Sequence, residues 1–310
     1  LVNPNTLFSL LAKFRRNLMS LIHQTAALLV TFIWGTNFVL LRYALDELAP
    51  FTLAALRFLF VAFPLVFFLP KPKTAWKYIV GYGLLIGVGQ FGLLFWAMQK
   101  DITPGVASLL IQLQVFFTVL LTVLNLKESV SRLQLVAMTI AFLGLLVVFL
   151  NTNEVTTALG VTIVLIAALS WASGNIVVKH VGEVDAFAFL AWSSLCSIPP
   201  LAFLAIYQTG LSEVVSSMAN ASWFAWATVL WQSIGNMLIG YGIWNILLNR
   251  YPAASVAPWA LLVPVFGMTT SWLWLDEAMP WWKLLAMMLI VAGLALNITE
   301  DLRRNRRSYE

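Results

Sequence analysis

Apolar residues run along this chain in blocks of about 18–22 positions, the length a roughly 30 Å hydrocarbon core needs at 1.5 Å per residue. Ten such blocks cover approximately 22–41, 51–69, 78–98, 105–126, 133–150, 158–178, 187–207, 223–248, 253–275 and 282–298. The segments between them are short and carry Pro, Asn or Gly, as in Pro70-Lys-Pro-Lys73, Asn151-Thr-Asn153 and Tyr251-Pro252. They leave no room for a soluble domain. The pattern predicts an all-α membrane protein of ten transmembrane helices.

The blocks also form two sets. Gly240-Tyr-Gly-Ile-Trp244 and Tyr251-Pro252 stand 148 residues after Gly92-Leu-Leu-Phe-Trp96 and Thr103-Pro104, and Leu275-Asp-Glu277, Ala286 and Gly293 stand 149 after Leu126-Lys-Glu128, Ala137 and Gly144. One residue has slipped in between. Upstream, Trp34-Gly-Thr-Asn37 recurs more faintly as Trp171-Ala-Ser-Gly-Asn175. The expected units are residues 22–150 and 158–298, each of five helices. Because five is odd, the second unit enters the membrane from the opposite side, and the two repeats are inverted. Such repeats supply two pseudo-symmetric arrangements of one bundle, the physical basis of alternating access.

Composition sharpens the class. At 61% hydrophobic and 10% charged residues, the chain has too little polar surface for a soluble domain. The net charge of +5 does not point to nucleic acid, because the basic residues lie between apolar blocks without interleaved aromatics. They are topogenic. With the N-terminus inside, fourteen of the 18 Lys and Arg residues fall on the inner side, Arg42, Lys100 and Lys283 fall outside, and Arg57 lies within a span. Both termini are therefore expected in the cytoplasm, with residues 1–21 as an N-terminal segment and 299–310 as a basic tail. Lys13, Arg15 and Arg16 precede block 22–41 as in a signal peptide, but the block is too long for an h-region and no small-residue cleavage pattern follows it. Trp76, Trp223, Trp281 and Trp282 fit interfacial belts. The single cysteine, Cys196, excludes an intramolecular disulfide and a cysteine-based metal cluster.

The strings Trp34-Gly-Thr-Asn-Phe38, Ala55-Leu-Arg-Phe58, Gln90-Phe-Gly92, Ala107-Ser-Leu109 with Gln112-Leu-Gln114, Ser170-Trp171 with Gly174-Asn175, Gly240-Tyr-Gly-Ile-Trp244 and Leu262-Val-Pro264 closely resemble the EamA family of the drug/metabolite transporter superfamily. The match runs from about Met19 to Asn297. It implies ten helices, a bacterial inner-membrane location and export of small metabolites, and it looks most like the family's exporters of O-acetylserine and cysteine. Residues 1–18 lie outside it, so the natural product is expected to start at Met19. The implied partners are a small-molecule metabolite and the lipid bilayer, with no nucleic acid, cofactor or metal; a homodimer is left open.

Candidate residues are polar groups deep in the blocks. Arg57 stands about six residues, or roughly 9 Å, inside its block, where a charge costs on the order of 3 kcal/mol. It reads either as an electropositive anchor for a carboxylate or as an arginine that snorkels or ties helix ends. Gln90, Gln112, Gln114 and Asn236 fall near the midplane and must face the bundle interior or water. Each reads as cavity lining or as interhelical glue. Gln112 and Gln114 are about 200° apart on an α-helix and so are not expected to share a face. Asn37 and Asn175 are the repeat-related pair, in the outer and inner thirds respectively, and read as helix-packing or gate residues or as direct contacts to substrate. Trp34, Trp171, Tyr241 and Trp244 read as cavity walls or as packing. Five glycines of block 78–98 suggest close packing, and Pro258 and Pro264 suggest kinks. There is no P-loop, HExxH or GxSxG, and no acidic residue within a span offers a proton relay. Coupling is absent or runs through a residue the sequence does not reveal. A rival cargo is an aromatic or drug-like solute. An intramembrane enzyme would need a catalytic dyad, and His23 and His180 sit at cytoplasmic borders without an evident partner.

Overall fold

Chain punctuation sets where the helices begin. Pro50 and Pro104 open theirs at the first turn, where a missing N–H costs no hydrogen bond. Ser131 forms a reciprocal capping box with Gln134. Thr157, Asp185 and Ser222 each accept from the backbone N–H three residues on. Between these starts the apolar blocks continue as helix.

The computed structural model describes residues 19–126, 131–251 and 256–307. The segment 1–18, with its proposed start at Met19 as its border, and the repeat-motif residues Lys127, Glu128 and Pro252 lie outside the described residues or at their edge. Among the described residues the chain is all-helical, and eight helices are long and apolar enough to cross a membrane. These are α1 (Leu21–Ala44), α2 (Pro50–Phe68), α3 (Trp76–Lys100), α4 (Pro104–Asn125), α5 (Arg132–Leu150), α6 (Ala158–Val181), α7 (Ala186–Thr209) and α11 (Trp281–Arg307). The other two expected blocks are helical but irregular. α9 runs through Trp223–Leu230, a π-helical stretch Trp231–Gly240 and Tyr241–Arg250, and α10 passes from a 3-10 stretch Ala257–Leu261 into Leu262–Leu275. Between α7 and α9 lies a short helix, α8 (Leu211–Asn220), with no buried residue.

Irregularities recur at matching places. α3 is π-helical over Leu84–Gly92 and α9 over Trp231–Gly240, ending at the two glycines of the sequence repeat. A 3-10 stretch near the start of α10 answers the one at Ile111–Leu113 in α4. Packing follows the same correspondence. α5 packs most extensively on α11, and α2 on α7. α1 packs on α10, as α6 packs on α4.

In a bilayer, helices associate through close contact rather than through the hydrophobic effect, so small residues matter at crossings. At the α5–α11 crossing, a Cβ on Gly144 would stand 2.8 Å from Ile290 Cγ1, and one on Gly293 would stand 2.7 Å from the Ala137 carbonyl. Four of the five α3 glycines also meet neighbours; Gly81 faces open space. Trp76, Trp223 and Trp281 are exposed, whereas Trp282 is buried rather than at an interface.

Candidate functional site

Six helices leave a cavity of about 340 Å³ between them, and they are counterparts in threes: α1, α3 and α4 with α6, α9 and α10. Helical irregularity shapes its walls. The π stretch of α3 carries Gln90 and Phe91, and that of α9 carries Asn236. A π turn holds an extra residue and rotates the side chains around it, which is why such turns gather at functional sites.

Eight of the nine sequence-derived candidates border this space: Asn37, Gln90, Gln112, Gln114, Asn175, Asn236, Tyr241 and Trp244. Gln112 and Gln114 both do so, against the expectation from helical spacing. The 3-10 turn at Ile111–Leu113 is the reason. At three residues per turn, positions two apart are separated by about 120° the short way round, instead of about 160° in an α-helix.

The amides divide into engaged and unengaged. Gln90 and Gln112 are 3% and 9% exposed and have no hydrogen-bond partner among the described residues, so they are available to a solute. Gln114 Oε1 accepts from Asn175 Nδ2 at 3.0 Å, and that same nitrogen donates to Thr118 Oγ1 at 3.1 Å. Asn37 and Gln232 form a reciprocal pair, with Gln232 Nε2 donating to Asn37 Oδ1 at 2.6 Å and Asn37 Nδ2 donating to Gln232 Oε1 at 3.2 Å.

Arg57 does not border the cavity. It is fully buried behind it, with Nη1 donating to Gln232 Oε1 at 2.7 Å, Nη2 to Asn236 Oδ1 at 3.3 Å and Nε towards Met237 Sδ at 3.4 Å. Its guanidinium carbon lies 3.8 Å from the centroid of the Phe91 ring, a cation–π distance. It neither snorkels nor meets a carboxylate among the described residues. The residue that sequence reading missed is Gln232, fully buried at the centre of this network. Its signal was present: it stands four positions before Asn236 in the same apolar block.

Aromatic rings complete the cavity. Trp34 lies 5.2 Å, centroid to centroid, from both Tyr241 and Trp244, and its Nε1 donates to the Asn236 carbonyl at 3.3 Å. Trp171 stands on the α6 side.

Polar ties gather at one end of the bundle. Glu277 Oε1 pairs with Lys283 Nζ at 2.7 Å, and its Oε2 accepts from Gly105 N–H at 3.0 Å, so a buried ion pair caps α4 from the α10–α11 connection. The acid of the Leu275-Asp-Glu277 motif is thus buried, and Lys283, expected as an outer surface charge, is buried with it. Asp101 accepts from Thr157 through both backbone and side chain. Glu47 accepts from the Ser222 N–H at 2.6 Å and its hydroxyl at 2.7 Å. Those bonds, the backbone one first, hold the Glu47 carboxyl below its ordinary pKa. The tie is therefore complete at neutral pH and lost as pH falls through that lowered value. At the opposite end, the Tyr251 hydroxyl stands 3.0 Å from His23 Nδ1 and accepts from Ser20 N–H. His23 thus has partners, and His180 Nδ1 meets the Ile176 carbonyl at 2.8 Å.

Comparison with known proteins gives concordant results. The profile of the EamA-like transporter family matches this chain twice, over residues 22–150 and 158–299. A protein of Salmonella typhimurium described as a "probable amino-acid metabolite efflux pump" is 37% identical over 88% of this chain and 93% of its own length, and one of the same description from Escherichia coli is 36% identical over the same shares. A "probable terminal-alkyne amino-acid exporter" of Streptantibioticus cattleyicolor is 24% identical over 94% of this chain and 98% of that one. A solved crystal structure, 18% identical, matches with a TM-score of 0.60 over 91% of this chain and 98% of that one; at that identity it speaks to the fold alone.

Proposed function

From a chain that belongs to the EamA-like transporter family, we propose a bacterial inner-membrane carrier that exports small amino-acid-like metabolites, of the O-acetylserine and cysteine type, by alternating access. It has ten spans, α1–α7 and α9–α11, in two inverted five-helix repeats, and both termini are cytoplasmic. The observation that carries this reading is the cavity formed by three counterpart helices from each half, lined by amides, aromatics and aliphatics and by no acid. A site between inverted halves can be reached alternately from either side. The repeated π and 3-10 stretches and the reciprocal packing support the inversion. The ion pair and carboxylate ties at the outer end favour a state closed to the outside.

An uncharged amide pocket binds weakly and releases readily, which suits export from a high internal concentration. Replacing Gln112 or Gln114 with Leu keeps volume and removes one hydrogen-bonding group worth roughly 1–1.5 kcal/mol. The half-saturation concentration for O-acetylserine or cysteine export should then rise about tenfold. Transport from inverted vesicles at matched expression tests this; wild-type saturation curves for both variants would move the site elsewhere. A second reading, an aromatic or drug-like cargo, has the Trp34, Tyr241 and Trp244 cluster in its favour. It gains if such a solute outcompetes cysteine in the same vesicles.

A further inference from the structure

We infer that the cavity reads an α-amino-acid head group by its polarity, with the carboxylate on the Asn236 amide nitrogen and the ammonium on the faces of Trp34, Tyr241 and Trp244. Arg57 and Gln232 are the positioning residues that set this polarity. The inference rests on the amino-acid reading of the cargo and adds how that cargo lies.

A primary amide can present either its oxygen or its nitrogen to a ligand, so a free asparagine discriminates poorly between anions and cations. Asn236 is not free. Its Oδ1 is taken by Arg57 Nη2 at 3.3 Å from behind, and the side chain borders the cavity, so Nδ2 is the atom offered to the solute. Gln114 repeats the device from the other half, with Oε1 held by Asn175 and Nε2 left over. Two fixed donors face a space that no acidic side chain borders.

Arg57 sits where direct contact with cargo is blocked, because the Phe91 ring covers its guanidinium at 3.8 Å and itself borders the cavity. The charge acts through the amide it orients and through its field, which a low-dielectric interior screens little. Gln232 fixes the arginine: its Oε1 accepts from Nη1 at 2.7 Å, while its own amide is locked reciprocally to Asn37. The ammonium end needs no carboxylate. Trp34 donates through its indole edge to the Asn236 backbone carbonyl, and Trp34, Tyr241 and Trp244 line the same cavity as Asn236, so the aromatic cluster lies close to the residue that carries the donor. An α-amino acid, which carries both charges on one carbon, needs just such neighbouring sites for an anion and for a cation over rings.

The test compares cysteine with cysteamine, which keeps the ammonium and thiol and lacks the carboxylate, on the purified full chain in nanodiscs. Asn236→Asp substitutes an acceptor-only group that pairs with Arg57, and Gln232→Glu neutralises Arg57 at a residue that does not itself border the cavity, with loss of the donation to Asn37 Oδ1. Both variants should weaken cysteine binding at least tenfold while cysteamine binding is unchanged or tighter. Arg57→Lys, a single point charge unable to hold both amide oxygens, should fall between wild type and these variants for cysteine. Equal losses for the two thiols would overturn the inference while leaving the amino-acid reading intact. A wild-type protein that binds neither thiol, although folded, would overturn both.

Discussion

Glu277 shows how much one side chain can join. Its carboxylate satisfies a backbone N–H at the start of α4 and neutralises a lysine that is itself buried. Removing one member of such a pair leaves the other charge stranded, and that penalty exceeds what the pair contributes over an apolar substitute. Glu277→Ala should therefore lower stability by about 3 kcal/mol, and Glu277→Gln by less, since the amide oxygen can still cap Gly105. Thermal unfolding of purified protein in detergent checks the order, and an unshifted midpoint for the alanine variant would show the pair to be dispensable. At this scale the sequence was partly legible. Polar residues inside apolar blocks announce themselves, so Gln90, Gln112, Gln114 and Asn236 stand out by their depth, and Asn37 and Asn175 by the repeat. Their partners were not legible, because Arg57 and Gln232 lie 175 positions apart and no local pattern joins them.

Elements reveal a different limit. Helix length and apolarity follow from the blocks, but the π stretches of α3 and α9 and the 3-10 turn in α4 do not, since changes in residues per turn leave hydropathy untouched. The failed expectation for Gln112 and Gln114 came from that source, as uniform α-helical rotation put them on different faces. Glycine placement was more informative. The α5–α11 crossing admits no side chain at Gly293, so Gly293→Leu should cost roughly 1–3 kcal/mol through overpacking. Gly81→Leu, where an added Cβ meets open space, should cost little. Thermal midpoints of the two variants, measured side by side, decide whether close approach or helix propensity governs.

On the scale of the whole molecule, the lysine and arginine distribution and the proposed inversion of the two halves make one joint prediction about topology. A reporter active only in the cytoplasm should work when fused after residue 310 and fail in the 151–157 loop; activity in that loop would sink the inverted arrangement. The repeat was legible because glycines, a proline and a tryptophan recur at an almost constant offset, and the family profile matches each half separately. The cavity's composition from α1, α3 and α4 with their counterparts was not, because the sequence orders helices along the chain and says nothing of which ones converge.

The paired π stretches also carry a history. Each is, in effect, one residue too many for an α-helix, and they end at equivalent glycines, Gly92 and Gly240. If the two halves descend from one ancestral unit, the economical account is a single insertion made before that unit was copied. On that account the ancestral unit would already have carried the irregular turn that now shapes both walls.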